Sequence, residues 1–399
     1  MQTQLSSEFI NTTQGLEADA ILRKCVHCGF CNATCPTYQV KGDELDGPRG
    51  RIYLIKQMLE GAPSGSATHT HLDRCLTCRN CETTCPSGVE YGELLEIGRE
   101  IAEITIRRPL HQRLVRWLLY RGLTQPKLFS AVLKAARWLK PVLPRMLQDK
   151  IPVHQQAQPW PATQHPRQML ILEGCVQPQL APNINATAAR VLDKLGISLI
   201  RAEKAGCCGA LPQHLSVPEY AKKLIMQNID AWWPHIEAGV EAIVMTASGC
   251  GVQVKDYGRL LKDDGVYAAK AARVAALTKD IAEILLHEDL LNISSAPRKI
   301  AFHPPCTLQH GQKLPGLVEG ILLKLGHQLT KVEDAHLCCG SAGTYSILQS
   351  KVANELRANK LVALNAGEPE LIATANIGCM CHLQSAAGKR VMHWLELLE

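Results

Sequence analysis

The spacing of apolar residues changes character along this chain. In the first hundred residues it is helical: Ile52, Ile55 and Leu59 follow Asp46-Gly47-Pro48 and stop at Gly61, which predicts a helix opened by the proline and closed by the glycine. Residues 91–106 read as a second helix. Beyond Arg167 the pattern becomes short apolar runs of strand length, at 169–172, 197–200 and 242–245 and again at 300–302, 327–329 and 371–373, each separated from the next by helix-like sequence. Strands alternating with helices predict parallel α/β sheets, whose ligand sites lie beyond the carboxyl ends of the strands. Between the two regions, residues 107–150 are amphipathic and interrupted by Pro109, Pro126, Pro141 and Pro144. Leu110, Leu114 and Leu118 share one face with Gln112, Arg113 and Arg116 opposite; Lys127, Ser130, Lys134 and Arg137 then form a polar stripe opposite Leu128, Val132 and Leu139.

A chain of 399 residues with 46% hydrophobic content can fold as two or three globular domains. The start shows no basic segment followed by an apolar one, so no signal peptide is expected, and no uncharged stretch of about 18 residues predicts a membrane-spanning helix. Seventeen cysteines in a chain expected to be cytoplasmic point to metal or redox chemistry rather than to structural disulfides. The formal charge of +6 conceals a polarity: eleven Lys/Arg lie between Arg107 and Lys150 against the single acid Asp149, leaving the rest of the chain mildly acidic. With Trp117, Tyr120 and Trp138 in the same segment, two readings stand: contact with an anionic membrane surface, or a helical arm packed on this chain's core or on a partner protein. Nucleic acid is not the expected partner, because aromatics make up only 5% of the chain and no reader motif is present.

Eight of the cysteines fall in two copies of C-x2-C-x2-C-x3-C-P: Cys25, Cys28, Cys31 and Cys35 before Pro36, and Cys75, Cys78, Cys81 and Cys85 before Pro86. Three thiolates at i, i+3 and i+6 can wrap one [4Fe-4S] cube from a single loop, while the fourth points away to the other cube. The expected ligand sets are Cys25, Cys28, Cys31 and Cys85 for cluster 1 and Cys75, Cys78, Cys81 and Cys35 for cluster 2. Zinc is disfavoured here, since four-cysteine zinc sites present two separated pairs. The neighbouring His69 and His71 are expected to be solvated loop histidines rather than ligands.

The other signature is a duplication. Cys175 lies 32 residues before Cys207 and Cys306 lies 32 before Cys338; Cys207-Cys208-Gly209 matches Cys338-Cys339-Gly340, and each repeat ends in Gly-Cys at Cys250 and Cys379. Lys-Leu-Gly recurs at 194–196 and 324–326. Since each cysteine site follows a strand, the four thiols of each repeat, Cys175, Cys207, Cys208 and Cys250, then Cys306, Cys338, Cys339 and Cys379, should converge at a sheet edge. A third iron-sulfur centre, zinc, or a metal-free thiol pocket each suits such a quartet. His303 and His336 flank the second quartet and are candidate proton or quinone ligands.

These motifs, with Gly47-Pro48-Arg49-Gly50-Arg51 between the two Cys-Pro loops, resemble the iron-sulfur subunits of glycolate oxidase over nearly the whole length. The wider group that carries Cys-Cys-Gly repeats includes lactate-utilisation iron-sulfur proteins, the iron-sulfur subunit of anaerobic glycerol-3-phosphate dehydrogenase and heterodisulfide reductase subunits. The resemblance implies a multidomain protein: an α-helical ferredoxin domain with two [4Fe-4S] clusters at 1–106, a basic amphipathic connector at 107–166, and a duplicated α/β cysteine-rich domain with parallel sheets at 167–296 and 297–399. It further implies electron transfer, within an oxidase complex on the inner face of the cytoplasmic membrane, from flavin subunits that oxidise glycolate to glyoxylate toward a membrane quinone. No G-x-G-x-x-G or phosphate-binding loop occurs, so no flavin is expected in this chain. The alternative is a subunit like that of heterodisulfide reductase, or of the lactate or glycerol-3-phosphate enzymes. In the fullest form of the repeat the last cysteine opens a C-x-x-C; here Gln253 and His382 stand where the fifth cysteine would be, which counts against a non-cubane cluster.

Overall fold

The computed structural model describes residues 1–142, 155–293 and 295–399; the stretch 143–154, with Pro144, Arg145, Asp149 and Lys150 of the basic connector, lies outside the described residues. The amino-terminal region is helical throughout. Each cysteine loop is entered from a helix, Thr13–Lys24 before Cys25 and Ser66–Asp73 before Cys75, and is followed by a single short turn of helix, Phe30–Ala33 or Asn80–Thr84. The helix expected after Asp46-Gly47 runs Pro48–Leu59, its proline at the first turn where no amide donor is needed. It packs along Tyr91–Thr105, joining Ile52, Ile55, Met58 and Leu59 to Leu94, Leu95, Ile97 and Ile101 in one core that also takes in Cys25, Cys75 and Cys81. The approach is tight: a Cβ on Gly98 would sit 2.5 Å from Ile55 Cγ1, so this position has no room for a side chain.

The rest of the chain forms two four-stranded parallel sheets with the same topology. The first has the order β2-β1-β3-β4, with β1 Arg167–Ile171, β2 Ile197–Arg201, β3 Ile243–Met245 and β4 Thr278–Asp280. The second has the order β6-β5-β7-β8, with β5 Lys299–His303, β6 Gln328–Leu329, β7 Leu371–Thr374 and β8 Val391–His393. The six apolar runs correspond to β1–β3 and β5–β7. The edge strands β4 and β8 are not among the apolar runs: β4 is Thr-Lys-Asp, and β8 is a three-residue Val-Met-His. In each sheet the chain leaves its first strand in one direction and returns on the other side, so the switch point falls between β1 and β3 and between β5 and β7.

One hydrophobic core runs through both repeats. Met169, Ile171 and the helix Asn183–Lys194 share it with Ile300, Phe302, Ile372 and the carboxyl-terminal Trp394, Leu395, Leu397 and Leu398. Arg190 and Glu399 pair across this junction. At the carboxyl ends of the sheets the repeats meet again: the Ser248 amide donates to the Ala375 carbonyl at 3.2 Å, and Ser248 Oγ and Thr307 Oγ1 share a hydrogen bond of 2.7 Å.

Asp280 closes β4 and caps helix Ile281–Leu286, accepting from the Ala282 amide at 3.0 Å while Gln312 Nε2 donates to it at 3.2 Å. Burial pushes its carboxyl from 3.8 up to about 6. The fold therefore favours the protonated acid. Its cost appears as pH rises from about 4 to about 6 and is complete above that window. Asp280→Asn keeps an equally good cap and offers an N–H to Gln312 Oε1, which has no partner among the described residues. The substitution should raise stability at pH 7.5 by roughly 1–3 kcal/mol, and the gain should disappear below pH ~4. Thermal denaturation of both proteins across this range measures it.

Candidate iron-sulfur and thiol centres

The two Cys-x2-Cys loops have the same backbone. Residues just before and just after the second cysteine take positive φ in both, His27 (60°) and Gly29 (87°) in the first, Thr77 (54°) and Arg79 (57°) in the second. Three of the four are not glycine and one is β-branched, so the loops hold backbone strain of order 1 kcal/mol or more at each such position. What the strain achieves is a turn that points three sulfurs inward.

Cys25, Cys28, Cys31 and Cys85 line one small cavity, with Cys81 at its far wall. Burial pushes the Cys31 thiol up to about 11, with further repulsion from Cys25, Cys28 and Cys85. Cys78 is driven well above the ordinary thiol range by burial first, then by Cys306, Cys35 and Cys75; Cys81 is driven up by burial and by Cys78, Cys75 and Cys35. Cys35 thus sits with the second loop and Cys85 with the first. All eight thiols are unbridged. Thiols gathered in fours are a donor set that suits a multiply charged metal centre able to displace their protons. The Thr77 amide donates to Cys75 Sγ at 3.4 Å and the Tyr91 hydroxyl at 3.6 Å, donors of the kind a sulfur ligand accepts. The residues present therefore fit two cubane clusters.

Arg51 supplies the opposing charge. It is fully buried; burial opposes its charge, but Cys75, Tyr91, Cys35 and Asp46 hold the guanidinium protonated. It donates to the His71 carbonyl at 2.7 Å and to Thr37 Oγ1 at 3.1 Å and lies 3.7 Å from Asp46. Asp46 is also held by His71 Nδ1 and Arg74, both at 2.8 Å, so this acid anchors the loop. The expectation of solvated histidines does not hold: His71 binds Asp46, and His69 is buried against the Ile106 carbonyl at 3.0 Å.

The two Cys-Cys-Gly quartets sit where the parallel sheets place them, at the carboxyl ends of the strands. In the first, Cys207 contacts Cys175 and Cys208, and Cys208 also contacts Cys250; hydrogen bonds from Cys207 and Cys250 hold the Cys208 thiol well below the ordinary range. In the second, Cys306 Sγ is 3.8 Å from Cys338 Sγ, Cys338 contacts Cys339 and Cys339 contacts Cys379. Here contact with Cys338, then burial, pushes the Cys306 thiol well up. Both quartets open on one cavity of about 940 Å³. Cys75 of the ferredoxin region, helix Leu110–Thr124 of the connector, Gln253 and His382 line it too. So does Cys381, which the motif reading passed over because it belongs to neither repeat pattern.

The cysteine loops are clamped to both repeats. Arg79 pairs with Asp256 at 2.6 Å and Arg259 with Glu96 at 2.9 Å on the first; on the second, Asn80 donates to the His336 carbonyl at 3.3 Å and the Tyr345 hydroxyl to the Arg74 carbonyl at 3.1 Å. His336 contributes its carbonyl here, which also meets His310 Nε2 at 2.9 Å, while His310 Nδ1 meets Thr83 Oγ1 at 3.0 Å. His310 escaped the sequence reading because no motif contains it. His303, the other histidine singled out, is fully buried, and burial lowers its ring to about 3, so it is neutral.

A helical domain with two cluster loops, joined to duplicated parallel sheets that each gather four thiols, defines an iron-sulfur protein of the cysteine-rich repeat class. The model of the 4Fe-4S dicluster domain matches residues 21–89, and that of the cysteine-rich domain matches twice, at 169–255 and 300–384. The glycolate oxidase iron-sulfur subunit of Escherichia coli (strain K12) is 56% identical over 401 residues, covering 100% of this chain and 98% of the relative. A probable glycolate oxidase iron-sulfur subunit of Bacillus subtilis (strain 168) is 30% identical, covering 94% of this chain and 93% of its own. Lactate utilization protein A of Bacillus velezensis is 25% identical over 56% of this chain. The chain belongs to the family of glycolate oxidase iron-sulfur subunits.

Replacing Arg51 with Met should destabilise the protein by about 3–5 kcal/mol, because Asp46 and the gathered sulfurs lose a charge that water cannot replace. A drop in the denaturant midpoint, with early loss of the visible iron-sulfur absorbance, is the expected outcome.

Proposed function

We propose that this chain is the electron-transfer subunit of a glycolate oxidase complex, relaying electrons from flavin-bearing partner subunits, where glycolate becomes glyoxylate, toward a membrane quinone. Cys25, Cys28, Cys31 and Cys85 hold one [4Fe-4S] cluster and Cys75, Cys78, Cys81 and Cys35 the other; when bound, the clusters supply one-electron storage. Each part of the domain plan then has its own role, with cluster binding at 1–106, surface contact at 107–166, and one thiol site each at 167–296 and 297–399. The observation that carries the reading is that Cys85 lies beside the first loop and Cys35 beside the second, which supports two linked thiol sets, with Cys78 near Cys306 of the second repeat. The protein's own residues surround these sulfurs with Arg51, Thr77 and Tyr91 and join them to the large cavity.

The connector supports contact with an anionic membrane surface. Its two helices, Leu110–Thr124 and Pro126–Leu139, turn their apolar faces outward: Leu110, Leu114, Trp117, Leu118, Val132 and Trp138 are all exposed, Trp138 at 81%. Arg108 and Arg116 point inward instead, onto Asp73 at 2.6 and 3.5 Å. Exposed Arg113, Arg121, Lys127 and Lys134 flank the apolar residues, the composition that suits shallow insertion among acidic headgroups. Among the described residues no helix is long and apolar enough to cross a membrane.

In the assembled complex, Cys28→Ser should remove one low-temperature paramagnetic cluster signal and stop glycolate-dependent reduction of an external quinone, while the flavin is still reduced by glycolate. Unchanged quinone turnover overturns the relay. The double substitution Leu114→Glu, Trp117→Glu should lower co-sedimentation with phosphatidylglycerol vesicles by about tenfold or more at unaltered cluster content. Undiminished sedimentation assigns the connector face to a protein partner.

A further inference from the structure

The two repeats share a topology but not a donor set. Strand β5 ends in His303, three residues before Cys306; the matching residue before Cys175 is Leu172. Parallel register sets His303 beside Thr374 on β7, and ring Nδ1 meets Thr374 Oγ1 at 3.0 Å. The other ring nitrogen, Nε2, is buried and has no hydrogen-bond partner among the described residues. His303, Cys339 and Cys379 each offer a donor atom, and these atoms lie within 4.8 Å of one another.

We propose that the second repeat binds a single zinc-type divalent ion through His303, Cys339 and Cys379, and that the first repeat, with Leu172 in place of the histidine, binds none. An imidazole with two thiolates is the donor set that borderline-soft ions select over calcium or magnesium. Thr374 fixes the ring from its far nitrogen, as the outer partner of a ligating histidine does, leaving Nε2 as the metal-facing atom. Asn376 Nδ2 donates to Cys379 Sγ at 3.5 Å, a donor of the kind that orients a sulfur ligand. Cys379 also borders the 940 Å³ cavity, so an ion held there has a side open to a small ligand, as in zinc sites with a free fourth position. Cys338 is left to Cys306, 3.8 Å away.

The test uses the full chain purified anaerobically with its amino-terminal clusters in place. Metal analysis should find about one zinc per chain in addition to the cluster iron, and zinc X-ray absorption should show mixed nitrogen and sulfur ligation. His303→Leu, which copies the first repeat, should lower bound zinc by about tenfold or more, with cluster iron and paramagnetic signals unchanged; Cys208→Ser should leave zinc unaltered. Cys379→Ser provides a second variant should His303→Leu fail to fold. Zinc retained in full by both His303→Leu and Cys379→Ser overturns the site, as does additional iron with all-sulfur ligation in the second repeat. Because the readout is metal content and ligation, it stands or falls apart from the relay reading.

Discussion

Sulfur crowding is the constraint around which this protein is built. Two loops gather eight thiols in a small helical domain, where burial and mutual repulsion both oppose the ionisation of Cys31, Cys78 and Cys81. A buried arginine beside Cys35 and Cys75, held in turn by Thr37, the His71 carbonyl and Asp46, is the protein's own contribution to offsetting that charge. The left-handed backbone at His27, Thr77 and Arg79 belongs to the same problem, since strained turns persist only where the surroundings over-determine them.

From this centre the rest of the architecture can be followed outward. The second cysteine loop is clamped between the two repeats by Arg79 and Asn80, and these contacts bring Cys78 to the carboxyl end of the second sheet. Parallel sheets deliver loops to one edge, so a duplicated sheet delivers two thiol quartets, and the meeting of Ser248 with Ala375 brings both edges to a single cavity. The repeats nevertheless diverge in chemistry. The first surrounds Cys208 with thiol donors, with His214 nearby, whereas the second places the His303 ring within 4.8 Å of two of its sulfurs. The connector departs from ordinary amphipathic packing: Arg108 and Arg116 engage Asp73 and Glu103 inside, while Leu110, Leu114, Trp117, Leu118 and Trp138 face out.

Local chemistry was legible in the chain and remote chemistry was not. The cysteine loops, the helix opened by Pro48, the six apolar strands and the duplication could all be read, because each depends on residues within a few positions of one another or on one pattern repeated. The edge strands β4 and β8 could not: β4 is polar, and β8 offers only Val391 and Met392 next to His393. Leu110, Leu114 and Leu118 marked an apolar face correctly, but nothing in their spacing said that this face would point to solvent while Arg116 reached Asp73. His310, Cys381 and the Thr374 partner of His303 carried no motif at all.

Spacing by itself determined that three sulfurs of each loop share a site, because a seven-residue turn has few ways to arrange them, and that two α/β repeats follow. The expectation that the fourth cysteine of each motif joins the other loop comes from the same spacing; only the tertiary structure decided that both quartets open on one cavity and that His303 stands among sulfurs where Leu172 does not. Those outcomes join residues many tens of positions apart, and such contacts are set by strand register and by the packing of one domain on another, which no local pattern encodes.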